Sequence, residues 1–303
     1  MTEEMLKLGK YKVTAITRAD STNKVPEGCE IKKIDYASQA SIVDALRGHD
    51  ALVITMNTMA PPEHQTKLIE AAAEAGVPWV LPNEFGYDIE NPGLEKDIAP
   101  IGEKHKEYRA HIEKLGKSSW IGVTCGFWYE YSLAHSPATF GFDIKNRTAT
   151  FIDDGETKIN TSTWRQCGRA VAKLLSLKIH ADDGDDDDEE EHCLVHYKNK
   201  FIYVSSFRIS QNDMLDSIIR VTGTTLQEWT IKHEPSTSRY KAGLEAMYKG
   251  DYMGFAQMMY SRVFYQDGSG DFESSKGLQN GVLGLPREDL DEATEVAIQM
   301  AKK

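Results

Sequence analysis

Residues 51–88 read ALVITMNTMAPPEHQTKLIEAAAEAGVPWVLPNEFGYD, and this stretch decides the fold. The apolar run Ala51–Thr55 predicts a strand. Pro61 and Pro62 open a helix over His64–Ala75, Gly76 closes it, and Val77–Leu81 predicts the next strand. Upstream, Tyr11–Arg18 alternates apolar and polar positions behind a short amphipathic piece, Thr2–Leu8, that Gly9 stops; Glu30–Ile34 predicts a second strand and Ser38–Arg47 a polar helix. Downstream come the loop PNEFGYDIENPG (residues 82–93), a helix from about Asp97 to Leu115 and a strand over Trp120–Cys125. Strands alternating with helices through about the first 125 residues imply a parallel sheet covered on both faces.

The alternation then stops. Arg147–Asp153 and Phe201–Ser205 read as strands, and Thr163–Leu175, Gln211–Val221, Ser236–Tyr248 and Tyr252–Phe264 as helices. The expected division is a nucleotide-binding region over residues 1–145 and a smaller α+β lobe over 146–303, whose aromatic helical faces suit a lobe closing over a pocket.

At 303 residues, 40% apolar and 27% charged, the chain has ordinary globular composition and is long enough for an enzyme. No apolar run approaches the ~18 residues of a membrane span, and the acidic start at Glu3 and Glu4 has no secretory pattern, so a cytoplasmic protein is expected. A net charge of -12 argues against nucleic-acid and anionic-membrane partners; the expected partner is a small-molecule substrate, with the oligomeric state left open. Part of that charge is the run Asp182–Glu191 inside an acidic loop over 181–192, which lacks the ligand spacing of a calcium loop and reads as solvated. Cys29, Cys125, Cys167 and Cys193 form no CxxC pair, and His192, Cys193 and His196 lack a second ligand pair, so no metal is expected.

The sequence contains no GxGxxG or GxxGxxG, no GxxxxGK[ST], no GxSxG, no HExxH and no YxxxK. P-loop transferases, serine hydrolases, zinc hydrolases and ordinary short-chain dehydrogenases are thereby set aside.

Six stretches carry a resemblance: YKVTAITR (11–18), GHDALVITM (48–56), LIEAAAEAGVPWVLPNEFGYD (68–88), YRAHIEKLGKSSWIGVTCGFWYEYSL (108–133), NTSTWRQCGRAVAKLLSL (160–177) and YSRVFYQDGSGDFESSKGLQNGVLGLP (260–286). Together they resemble the NmrA-like, isoflavone-reductase-like proteins, atypical short-chain reductases, and most nearly the fungal branch found beside secondary-metabolite genes. The resemblance implies a Rossmann-like doubly wound parallel sheet with a smaller α+β substrate lobe. It further implies that the chain starts inside the family's first helix, without the first strand and glycine-rich turn. In the family order 3-2-1-4-5 that strand is central, so its absence opens about 9.6 Å between its neighbours. Five buried aliphatic side chains would go with it, roughly 8–15 kcal/mol, comparable with a whole domain's stability of about 5–15 kcal/mol. A late start assignment, a shortened paralogue with a re-paired sheet and a non-functional remnant are the three explanations.

The function implied is NADPH-dependent reduction of a C=O, C=N or activated C=C in a small metabolite. The alternatives are a non-catalytic NADP-sensing or regulatory protein, or a truncated form unable to hold cofactor. Carried onto this sequence, the resemblance sets Arg18 on the 2'-phosphate of NADP(H), a bidentate task that suits a guanidinium. Asp35 and Tyr36 fall beside the adenine, Thr55, Met56 and Asn57 along the ribose side, and Asn83, Glu84, Phe85 and Gly86 around the nicotinamide ribose. The family's proton-donating lysine falls at Lys104, with His105 and Lys106 as alternatives, and such a lysine needs a lowered pKa. Phe127, Trp128, Tyr129 and Tyr131 are placed at the nicotinamide face and substrate, with Trp164, Tyr260 and Phe264 as a roof.

Overall fold

The computed structural model describes residues 1–57, 60–180 and 192–302, with the side chains of residues 99–101 outside that description; the acidic run Asp182–Glu191 also lies outside it. The first part runs α1 (Thr2–Leu8), β1 (Thr14–Arg18), β2 (Glu30–Ile34), α2 (Gln39–Leu46), β3 (Ala51–Val53), α3 (Pro62–Ala75), β4 (Trp79–Leu81), α4 (Pro92–Asp97), α5 (Ala99–Leu115) and β5 (Ser119–Thr124). Pro62 stands in the first turn of α3, where its missing N–H costs nothing, and Gly76 closes the helix in the left-handed conformation at φ 79°. The second part adds β6 (Phe127–Trp128), α6 (Tyr129–His135), β7 (Phe142–Asp143), β8 (Thr148–Ile152), β9 (Ile159–Ser162), α7 (Trp164–Leu175), β10 (Lys200–Tyr203), β11 (Phe207–Ile209), α8 (Gln211–Thr222), β12 (Thr230–Glu234), α9 (Ser236–Tyr248), α10 (Tyr252–Val263), α11 (Phe272–Lys276) and α12 (Leu290–Ala301).

The parallel sheet is divided. One piece has the order β10-β5-β4-β3 and the other is the pair β1-β2. Both are parallel throughout, with Arg18 opposite Ile34 and Val53 opposite Leu81. Among the described residues no backbone hydrogen bond joins β1 to β3, so the sheet has not re-paired across the break, which falls where the family order puts its central strand. Side chains hold the pieces together instead. Ile16 of β1 and Ile34 of β2 share one apolar core with Leu46 of α2, Leu52 of β3, Ile69 of α3 and Ile112 of α5. Burial on that face is the favourable term that a backbone ladder would otherwise reinforce.

The opposite face of the larger piece is covered by α7, whose Cys167, Val171 and Leu174 pack with Leu81, Ile121 and Val123. Helix α1 rides on α7. A side chain at Gly168 would stand 2.9 Å from the Cα of Met1, Tyr11 donates its hydroxyl to the Ala172 carbonyl, and Glu4 faces Arg165 at 3.4 Å.

Residue 145 is not a clean boundary. Both α7 and β10 come from beyond it, and β10 extends the first sheet beside β5. The remaining elements form the second lobe from two small sheets, β11-β9-β6 and β12-β8-β7, with α6, α8, α9, α10 and α12 around a core centred on Tyr129, Phe140, Ile152 and Phe264. Gly126 links the two parts. Its φ of 67° turns the chain out of β5, and a Cβ there would lie 2.1 Å from the Asn160 carbonyl oxygen.

Candidate active site at the carboxyl ends of the parallel strands

In an open parallel sheet ligands gather beyond the carboxyl ends of the strands. At the end of β1, Arg18 is exposed, and its nearest carboxylate is Asp20 at 3.6 Å. Beside it Asp35 closes a local turn by accepting from the Ala37 amide at 2.8 Å. Tyr36 stacks on His64 with ring centroids 3.9 Å apart, while Lys67 donates to the Tyr36 carbonyl at 2.6 Å. Burial raises the Tyr36 hydroxyl pKa and the nearby Arg18 charge opposes that rise. A guanidinium beside a flat ring pair is thus presented at this edge.

Thr55, Met56 and Asn57 follow β3. The Asn83 side chain bridges from the loop after β4 to Met56, accepting from its amide at 3.2 Å and donating to its carbonyl at 3.0 Å. This clamp fixes the two loops against each other. Next to it Phe85 packs against the α7-side core, and Glu84 turns inward, 7% exposed. Glu84 pairs with Arg109 of α5, whose guanidinium lies 5.3 Å from the Trp120 ring and 4.9 Å from that of Phe201.

Lys104, His105 and Lys106 point in three directions. Lys104 is nearly half exposed and bound to Glu107 at 2.7 Å; that hydrogen bond raises its pKa, the opposite of what an acid working near neutrality needs. Lys106 is paired with Glu95, also near the surface. His105 alone faces inward, its Nδ1 3.7 Å from Glu84 Oε1. The inward direction was legible. His105, Tyr108, Arg109 and Ile112 follow the i, i+3, i+4, i+7 spacing of one helix face, which places Arg109 there as well.

Beyond β5, Phe127 stacks on Tyr260 at 3.8 Å and Tyr260 bonds Ser132 at 2.7 Å. Trp128, Tyr131 and Trp164 form a surface cluster with each pair of centroids 6.3 Å apart. Tyr129 and Phe264 face no cleft. Tyr129 is fully buried with its hydroxyl 2.6 Å from Thr294, because the phase of α6 that turns Tyr131 toward the surface turns Tyr129 and Leu133 in, and Phe264 is 1% exposed against Phe140.

Beneath Phe127 is a cavity of about 10 Å³ lined by Tyr87, Asp88, Asn160 and Ser269, space for one water. The Tyr87 hydroxyl and Asp88 Oδ2 are buried there without hydrogen-bond partners. Burial raises the Asp88 carboxyl pKa, opposed by Lys276 and by the Glu90 amide and Tyr203 hydroxyl that it accepts from. Among the described residues no cluster of His, Cys, Asp or Glu could hold a metal; His196 is used locally, facing the Cys193 amide at 3.4 Å. No described helix is long and apolar enough to cross a membrane.

A sequence profile described as the NmrA-like family matches residues 1–152. The oxidoreductase aprR of Aspergillus flavus is 24% identical over 286 residues, covering 93% of this chain and 89% of its own. Among solved structures, the ternary complex of leucoanthocyanidin reductase from Vitis vinifera superposes with a TM-score of 0.73 at 15% identity, covering 98% of this chain and 94% of that one. AtPrR2 with NADP+ and (+)pinoresinol gives 0.71 at 16% identity, covering 97% and 94%. At these identities the structures establish the fold.

Proposed function

This chain belongs to the NmrA-like family, and from that premise we propose that it is an NADP(H)-dependent reductase of a C=O, C=N or activated C=C in a small metabolite. The observation that carries the reading is the arrangement at the strand ends: an exposed guanidinium at one end, Arg18, and the Asn83–Met56 clamp with the inward Glu84 and His105 at the other. The oxidoreductase naming of aprR and the NADP+ bound to AtPrR2 support it.

The residues present fit both ends of the cofactor. Arg18 would hold the 2'-phosphate with charge-assisted hydrogen bonds, with the Tyr36–His64 pair flanking the adenine. The loop Asn83–Gly86, held by its grip on Met56, would border the nicotinamide ribose. When bound, the nicotinamide supplies hydride. Phe127, held flat on Tyr260, would give the reacting face an apolar wall, and the mutually tilted Trp128, Tyr131 and Trp164 rings would offer an apolar substrate an aromatic surface.

A second reading, a protein that senses NADP(H) without turnover, is favoured by one feature: Lys104, where the family's proton-donating lysine falls, is held outward by Glu107 with its pKa raised. Calorimetric titration with NADPH and NADH, followed by NADPH oxidation over a panel of carbonyls, imines and enones, separates the readings. Binding with turnover is the expected outcome. Binding without turnover selects the sensor, and no binding by the folded chain rejects both.

A further inference from the structure

Two buried polar atoms face each other across this site, and neither has a hydrogen-bond partner: Glu84 Oε1 and His105 Nδ1, 3.7 Å apart. Buried polar atoms in folded proteins are almost always paired, and each of these lies within ion-pair distance of the other. We propose that they form a working dyad in which Glu84 orients His105 through an Nδ1–H bond, and His105 delivers through Nε2 the proton that completes the reduction. The inference rests on the reductase reading for its catalytic half and on geometry alone for the dyad.

The surroundings hold each partner in place. Glu84 is anchored through its other oxygen, Oε2, by Arg109, which is itself packed against Trp120 and Phe201, so Oε1 is left aimed at the ring. The imidazole meets Tyr108 edge to face at 6.3 Å and 77°. Its side chain is 23% exposed while Nδ1 is buried, so solvent reaches the side chain at atoms other than Nδ1. A modest ring rotation brings the 3.7 Å separation to hydrogen-bond length and satisfies both orphaned atoms. Lys104 and Lys106 are engaged outward by Glu107 and Glu95, which leaves the imidazole as the group aimed inward from this turn of α5.

For a carbonyl substrate the step balances as follows. A hydride would leave the nicotinamide C–H bond, giving NADP+, and form the new C–H bond; the C=O π pair would move to oxygen, and the Nε2–H bond of imidazolium would break as the O–H bond forms. His105 is left neutral with its remaining proton on Nδ1 against Glu84, and Nε2 regains a proton from solvent. A carboxylate accepting from Nδ1 fixes the ring's orientation and leaves Nε2 as the nitrogen that delivers the proton.

The test reads the tautomer directly. Long-range ¹⁵N–¹H NMR of the full chain at pH 8 is expected to show neutral His105 protonated on Nδ1. In Glu84→Gln, Arg109 retains the amide oxygen, the amide NH2 faces the ring, and the proton is expected to move to Nε2. Wild type protonated on Nε2, or a tautomer unchanged in Glu84→Gln, overturns the dyad whatever the activity. For the catalytic half, His105→Gln is expected to lower kcat by about a hundredfold or more with the KM for NADPH nearly unchanged, and His105→Lys to recover part of the loss. Unchanged kcat in His105→Gln, while wild type turns over, overturns the role of His105. Absence of turnover by wild type fails the reductase reading, and the catalytic half with it.

Discussion

Gly126 and Asn160 approach so closely that a single methyl group cannot be added between them: the position a Cβ would take on Gly126 is 2.1 Å from the Asn160 carbonyl oxygen, and the backbone there has φ 67°. Gly126→Ala therefore combines a left-handed alanine, roughly 1–2 kcal/mol, with overpacking of about 1–3 kcal/mol. The variant is expected to lose stability on that scale in urea melts and to disturb the seat of Phe127. A melt equal to wild type would mean that the chain between β5 and β6 is not held against β9 at this point.

Arg109 is expected to matter far more to folding than an ordinary helical arginine. Arg109→Met strands the Glu84 carboxylate, whose side chain is 3% exposed, without its cation. Breaking one side of such a pair costs about 3–5 kcal/mol, readable as a large drop in the denaturation midpoint. Replacing both partners together, Glu84→Gln with Arg109→Met, is expected to recover much of that loss.

Arg18→Ala is expected to weaken NADPH binding about ten- to a hundredfold, the worth of a charge-assisted hydrogen bond at about 1.5–3 kcal/mol, while leaving NADH binding unchanged. Parallel calorimetric titrations check this, and an equal loss for both cofactors would move the 2'-phosphate away from β1.

Asn83→Ala removes both hydrogen bonds to Met56, at about 0.5–1.5 kcal/mol each. Cofactor affinity and the protection of the Met56 amide against hydrogen exchange should fall together, and an unchanged exchange rate at Met56 would contradict the clamp.

Asp88 sets a pH dependence of definite sign. Its carboxyl pKa is raised in the folded chain, chiefly by burial, and one oxygen has no partner. Below about pH 3.9, the ordinary carboxylate value, both folded and unfolded chains carry the protonated form and there is no cost. As the pH rises through the raised folded value, the native state alone bears a penalised carboxylate, so stability contributed at this position declines and then levels off. Asp88→Asn is expected to be more stable than wild type at neutral pH, by about 1 kcal/mol, with the advantage vanishing toward pH 4. Urea melts at several pH values decide it.

Much of the scaffold was legible because it carries local punctuation. Pro61, Pro62 and Gly76 bracket α3, and Ser236–Tyr248 and Glu30–Ile34 fall where their patterns put them. Strands of two residues, Phe127–Trp128 and Phe142–Asp143, are too short to show any period. The buried strand Ile159–Ser162 carries no alternating apolar pattern because three of its four residues, Asn160, Thr161 and Ser162, are polar, and they are accommodated by hydrogen bonds to Gly270, Ser205, Phe127 and Val204. Three consecutive basic residues on α5 lie about 100° apart around the helix, so only its phase distinguishes them. That phase is set by Tyr108 and Ile112, and the partner that makes it chemically meaningful, Glu84, is 21 residues before His105 along the chain, a distance no local pattern spans.

The division of the parallel sheet has a consequence for how this chain behaves in concentrated solution. Strand β2, the outer edge of the small piece, carries Lys32 and Lys33, charges that resist the addition of a foreign strand, whereas Ala51–Val53 at the opposite lip of the break carries none and Thr14–Arg18 ends in a single arginine. The edges least defended against self-association are therefore interior ones, protected by the helices that overlie them rather than by charge. That cover comes from α2, α3 and α5, whose Leu46, Ile69 and Ile112 pack on Ile16 and Leu52, so conditions that loosen these helices would bare the break.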